Sequence, residues 1–183
     1  MNASAGDVPR GWLSRLAGLG RVYTFETHLW LPKPREEVFA FFSDAYNLQD
    51  ITPAFLNFTV VTPPPIVMAE GTLIDYRLRI RGIPVRWRTR IRAWDPPTRF
   101  VDEQVRGPYR SWVHEHRFTE EGEGTRVWDR VRYSVPGGDL LHRLFVRGDV
   151  ARIFRYRHRR LLAHFGESDE MGGVGREGPL HET

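Results

Sequence analysis

Between Gly71 and Val135 the side chains alternate between an apolar and a charged register almost without a break, and five polar residues, Asp102, Gln104, His114, His116 and Asp129, sit on the more apolar one. Successive side chains of a β-strand point to opposite faces, so a period of two separates a buried face from a wet one. In Thr72 to Arg81 one face reads Thr72, Ile74, Tyr76, Leu78, Ile80, and the other carries Asp75, Arg77, Arg79 and Arg81. After a turn at Arg81-Gly82-Ile83-Pro84, Val85, Trp87, Thr89 and Ile91 oppose Arg86, Arg88, Arg90 and Arg92. Pro96-Pro97 ends that strand, and Phe100 to Arg106 follows with either register able to face inward: Phe100, Asp102, Gln104 and Arg106, or Val101, Glu103 and Val105. Ser111 to Thr119 sets Trp112, His114, His116 and Phe118 inside, and Thr125 to Val135 sets Val127, Asp129, Val131, Tyr133 and Val135 there. Glu121-Gly122-Glu123-Gly124 between them is a hairpin signal. Five strands joined by short turns make an antiparallel meander, and inward polar residues predict a lined cavity in place of a solid core.

The flanking segments supply what covers that face. Val22 to Leu31 reads as a first strand. A helix follows from about Arg35 to Ser43, with Pro34 suited to its first position and Glu36 and Glu37 to its positive end. A short helical turn near Asn47 to Ile51 is stopped by Pro53, and Asn57 to Thr62 reads as a short strand closed by Pro63-Pro64-Pro65. After Gly137-Gly138, Asp139 is placed to cap a helix running to about Phe165, whose apolar stripe is broad enough to cover a sheet. Residues 1–20 read as an N-terminal extension, poorly ordered or a short helix, and 167–183, rich in glycine and acid, as a disordered tail.

With 183 residues the chain fits one domain with a substantial core, and 21–166 is that domain. The absence of cysteine excludes disulfides and thiolate metal sites. Met1 to Gly20 lacks the continuous apolar run of a signal peptide, and no stretch approaches the roughly 18 apolar residues of a membrane span, so a cytoplasmic protein is expected. The net charge of +4 permits weak attraction to anionic lipid or nucleic acid, but no specific nucleic-acid partner is expected. No P-loop, dinucleotide fingerprint, serine elbow or zinc-protease motif occurs.

Several segments carry a likeness beyond this element order. They are Pro34-Arg35-Glu36-Glu37-Val38-Phe39 leading to Phe42, Asn47-Leu48, Thr52-Pro53 and Glu70-Gly71-Thr72. Further along come Phe100-Val101-Asp102-Glu103-Gln104 with Gly107-Pro108-Tyr109, and Trp112-Val113-His114-Glu115-His116 with Phe118. On these the chain resembles the START-like (SRPBCC) superfamily over about Val22 to Gly166, and its polyketide cyclase/dehydrase-like bacterial ligand-binding branch more closely. The resemblance implies an α+β helix-grip fold: a curved antiparallel sheet of about seven strands wrapped around a long C-terminal helix, with two short helices after the first strand and an apolar ligand pocket. It implies no catalytic signature common to all members. Where plant-allergen relatives carry a glycine-rich loop this chain has Pro63-Pro64-Pro65, so a gating mechanism of the plant-hormone type does not transfer.

Candidate ligand-binding residues are Tyr76, Trp87, Gln104, Trp112, His114, His116, Asp129 and Tyr133, aromatic walls with polar tips and a polar cluster between them. His114 and His116 project from one face and could chelate a metal with Asp129 as the oxygen ligand. Histidines hydrogen-bonded to Asp102, Gln104 or Asp129 explain the same residues, and neither metal nor cofactor is expected. His114, His116 and Asp129 are also the candidates for acid/base catalysis, because a carboxylate fixes an imidazole tautomer and raises its basicity. The leading expectation is binding, for storage, transport or sensing, of a small hydrophobic molecule with a polar handle. The alternatives are a cyclase or dehydratase acting on a polyketide- or isoprenoid-like substrate, and a membrane-peripheral or nucleic-acid-binding adaptor using the basic surface, with transient membrane contact. The outer arginine ladder reads as a solvated face of cross-strand ion pairs.

Overall fold

The computed structural model describes residues 21–166; the extension and tail read from 1–20 and 167–183 lie outside the described residues. Strand β1 (Tyr23–Leu31) is followed by helices α1 (Arg35–Ser43) and α2 (Asn47–Asp50), a 3-10 turn at Ala54–Leu56 and the short strand β2 (Thr59–Val60). The meander is β3 (Leu73–Ile80), β4 (Ile83–Asp95), β5 (Arg99–Arg106), β6 (Ser111–Glu121) and β7 (Gly124–Ser134). A C-terminal helical segment then runs through α3 (Gly138–Leu141), a wider turn at His142–Val146, and α4 (Arg147–Phe165). The seven strands form one curved antiparallel sheet in the order β1-β7-β6-β5-β4-β3-β2, the helix-grip arrangement.

Turn chemistry sets the registers. Ile80 faces Ile83 across a two-residue turn in which Arg81 and Gly82 have φ of 52° and 82°, the double left-handed turn whose twist matches that of paired strands. Register shifts in the β4/β5 pairing interrupt the simple period of two. Past the shift between Ile91 and Ala93, Trp94 joins the inner side and packs against Phe39 and Phe100, with ring centroids 5.2 and 5.7 Å away. In β5, Phe100 and Asp102 face the interior, while Glu103 pairs with Arg90 outside, which settles the register the alternation left open.

Two helix ends differ from the sequence reading. Pro34 stands just before α1, not at its first position, and its carbonyl accepts hydrogen bonds from the Glu37 and Val38 amides at 3.1 Å. Asp139 does not cap the C-terminal segment. Gly137 and Gly138, with φ of 85° and 65°, start the helix two residues earlier, and the Asp139 carboxylate instead accepts hydrogen bonds from Tyr23 Oη and from Arg21 Nη1.

Three buried clusters hold the sheet to the helices. Phe39 of α1 packs edge-on to Phe118 at 5.2 Å, beside Leu161 and Phe165 of α4. Phe25, Val131 and Tyr133 pack on Val150 and Phe154. Ala45, Val60, Ile74, Tyr76 and Ile91 form the third. The outer face carries ion pairs, among them Arg88 to Asp75 at 2.7 Å and Arg99 to Glu115 at 2.8 Å. Exposed pairs such as Arg88 to Asp75 contribute about 0.2–1 kcal/mol each, because water screens the charges and ordering two long side chains offsets the attraction. Arg88→Gln is therefore expected to shift a urea unfolding midpoint only slightly; a loss well above 1 kcal/mol would show that the ladder holds the sheet together.

Candidate ligand cavity and its polar floor

Among the three clusters lies a cavity of about 740 Å³. That is within the roughly 300–1,000 Å³ of small-molecule sites. Ile74, Tyr76 and Ile91 of the sheet line one side, and Val150, Phe154 and Leu161 of α4 the other. The lining reaches solvent at Phe55, Leu141, Phe145 and Arg152. There Arg81 bonds Asp149 at 3.0 Å and lies over Phe145 at 4.7 Å, and Arg152 lies over Phe55 at 4.4 Å.

Of the eight residues expected to line such a cavity, Tyr76, Trp87, Trp112, His114, His116 and Asp129 do so. Gln104 and Tyr133 lie off the lining. The Gln104 amide closes the turn after β5, with Nε2 donating to the Tyr109 carbonyl at 2.8 Å and Oε1 accepting from the Tyr109 amide at 3.3 Å. Tyr133 is buried behind the wall, its hydroxyl 3.0 Å from His142 Nε2. Burial pushes the Tyr76 phenol well above its ordinary range, so it faces the cavity as a neutral hydroxyl.

Strand pairing assembles the polar floor. Asp102 of β5 lies opposite His114 of β6, and His116 lies opposite Asp129 of β7, so four titratable groups share one face of three adjacent strands. His114 Nε2 is 2.8 Å from Asp129 Oδ1 in a buried hydrogen bond. His116 Nδ1 is also 2.8 Å from Asp129 Oδ1, but off the N–H direction, so it has contact without a directed bond. The opposite ring nitrogens, His114 Nδ1 and His116 Nε2, lie 3.7 and 3.3 Å from Asp102 Oδ2. One carboxylate therefore stands behind the two imidazoles and the other in front.

The two histidines are pushed in opposite directions. Burial, with the neighbouring His116, lowers the pKa of His114, and the bond to Asp129 only partly opposes it. Burial acts the same way on His116, but contacts with Asp102 and Asp129 outweigh it and raise the pKa. Burial also opposes ionisation of Asp129, yet the two imidazoles hold it far below the ordinary carboxylate value. Of the two rings His116 holds a proton the more readily, and Asp129 is the group held ionised between them.

Arg157 is a site residue that strand alternation does not reach. It lines the cavity from the buried stripe of α4, between Phe154 and Leu161. Its guanidinium lies over Phe154 at 5.2 Å, and its Nε is buried with no hydrogen-bond partner. Burial lowers its pKa, opposed by the charges of Asp129 and Asp102. A signal for it is present in the spacing: 150, 154, 157, 161 and 165 recur at three- and four-residue intervals, so an arginine at 157 falls on the core face.

The family described as "Polyketide cyclase / dehydrase and lipid transport" matches residues 31–157, more than half of the chain and all of the cavity floor. The chain belongs to this family. No curated protein sequence matches it. Among solved structures it is similar to protein TTHA0849 from Thermus thermophilus, at 22% identity and TM-score 0.59, over 77% of this chain and 98% of that one. It is similar to ginseng major latex-like protein 151 from Panax ginseng at 15% identity and TM-score 0.59, over 80% and 99% of the two chains. The di-domain ARO/CYC protein StfQ of the steffimycin biosynthetic pathway gives 16% identity and TM-score 0.63, over 80% of this chain and 51% of that one. At these identities the likeness is one of fold. Among the described residues of this family member, no helix is long and apolar enough to cross a membrane.

Proposed function

We propose that the chain binds a small, mainly apolar molecule inside the sheet–helix cavity and orients it by a polar handle seated on the floor. The observation carrying this reading is an apolar cavity of about 740 Å³ with Asp102, His114, His116, Asp129 and Arg157 gathered at one part of its wall. Apolar walls supply affinity through surface removed from water, while a few buried polar groups reject ligands that leave them unpaired. Membership of a family described by polyketide cyclisation and lipid transport supports a ligand of that general class, a polyketide or a lipid.

A neutral apolar dye such as Nile red tests the reading. Titration of the folded chain is expected to give saturable emission with one dye per chain. Leu78 lines the cavity and is half-buried, so Leu78→Trp fills space there without breaking the core. It is expected to lower dye affinity about tenfold or more, equivalent to about 1.4 kcal/mol. Unchanged binding by a Leu78→Trp chain that melts normally would place the dye elsewhere and defeat the reading.

The directed bond between His114 Nε2 and Asp129 Oδ1, within reach of the cavity, supports a second reading, that of a cyclase or dehydratase using this pair as acid and base. Product formed from a polyketide-like substrate, and lost in His114→Ala while dye affinity survives, would replace binding by catalysis.

A further inference from the structure

We propose that Asp102, His114 and His116 form a divalent-cation site of the zinc class, with its open coordination position facing the cavity. Each residue offers one ligand-type atom, and the three atoms lie within 4.8 Å of one another. Two imidazoles and a carboxylate suit zinc and neighbouring first-row metals over magnesium or calcium, and three protein ligands with a free position are the pattern of reactive zinc sites.

The distances suit a shared ion. Bonds of about 2.0–2.1 Å in a tetrahedron place ligand atoms about 3.3–3.4 Å apart. Asp102 Oδ2 lies 3.3 Å from His116 Nε2 and 3.7 Å from His114 Nδ1. The first is a long hydrogen bond and the second lies beyond hydrogen-bond range, and both are close to the ligand–ligand spacing of a tetrahedral site. Asp129 stands behind the two imidazoles: its Oδ1 is hydrogen-bonded to His114 Nε2 and lies 2.8 Å from His116 Nδ1 without a directed bond. A carboxylate on the far nitrogen fixes ring orientation and leaves the near nitrogen's lone pair for a metal. The sequence offers Asp129 as the oxygen that could complete such a site; strand pairing puts Asp102 in that place and Asp129 behind the rings.

Charge supports the same assignment. A metal ion takes the place of any proton on His116 Nε2; with both imidazoles then neutral, Asp102, Asp129 and the nearby Arg157 leave one net negative charge on the floor. A divalent cation reverses it to one positive charge, which an anionic oxygen in the open position neutralises. The site would therefore take hydroxide, or a carboxylate, enolate or phenolate group of a cavity ligand. The inference uses the same floor as the ligand reading but stands without it, since an ion can be titrated with no apolar molecule present.

The test uses the untagged full-length chain, stripped with a chelator and dialysed. Calorimetric titration with ZnCl₂ is expected to show one strong equivalent, and CoCl₂ to give visible absorption stronger than that of the hydrated ion. Asp102→Asn, at the part-exposed ligand, is expected to weaken zinc binding about 100-fold, and Asp129→Asn about 10- to 100-fold, as for groups that orient metal-bound histidines. His164→Ala, at the far end of α4, is expected to change nothing. If His114→Ala or His116→Ala fails to fold, Asp102→Asn still decides the matter. Absence of a strong zinc equivalent in the folded chain, or one undiminished in Asp102→Asn, overturns the proposal. Nile red binding to the metal-free chain is scored separately, so failure of one reading does not mask failure of the other.

Discussion

Asp129→Asn is expected to destabilise the fold by about 3–5 kcal/mol at neutral pH, the usual effect of removing one partner from a buried ion pair. Asp129 is 6% exposed and contacts both floor histidines, so an amide in its place leaves the guanidinium of Arg157 and any proton on His116 with Asp102 as the remaining counter-charge. The pH dependence gives the result a signature. Asp129 is held below the ordinary value of 3.8 in the folded chain, so its stabilisation is present above that value and is lost as pH falls through the folded one. His116 is raised above 6.5, so its contribution is complete below 6.5 and is lost as pH rises through its folded pKa. His114, lowered from 6.5, acts oppositely: protonating it favours the unfolded chain as pH falls below 6.5. Urea unfolding across a pH series should therefore show wild type and Asp129→Asn far apart near neutrality and converging in acid. Parallel curves would mean that Asp129 does not balance the floor.

Phe154→Ala should be comparably damaging, by about 3–5 kcal/mol, for a different reason: it removes a buried ring and leaves space the structure can only partly refill. Phe154 is 3% exposed and meets Phe25 at 4.8 Å and His114 at 5.5 Å between ring centroids. Its ring also supports the Arg157 guanidinium, so the truncation frees a cavity cation whose Nε has no hydrogen bond. Thermal melting reports the stability loss. Because the ring is part of the cavity wall, a chain that still folds should accept a bulkier apolar dye than wild type does. A small loss with unchanged dye selectivity would show that α4 settles onto the sheet and the cavity is not held open by its walls.

Much of the cavity floor is legible in the alternation alone. Trp112, His114 and His116 alternate with Val113 and Glu115, and no packing detail is needed to place them on one face of β6. The same holds for Asp129 on β7 and Tyr76 on β3, because a pleated strand ties side-chain direction to parity. Gln104 obeys the parity and still misses the cavity, since its amide finds the Tyr109 backbone five residues on; local turn chemistry intercepts it. Tyr133 also obeys parity but lands where Tyr23 and His142 already fill the space in front of it.

The sequence by itself determined the order of elements, the inner face of most strands and the presence of polar groups among apolar ones, all consequences of short-range periodicity and turn residues. The tertiary structure alone decided which carboxylate stands in front of the histidines and which behind, because that depends on pairing between strands and on the shifts in the β4/β5 register. It alone brought Arg157 of α4 to face Asp102 and Asp129. No local pattern records the angle at which a helix crosses a sheet; that angle follows from how Val150, Phe154, Leu161 and Phe165 find space among side chains far away in the chain.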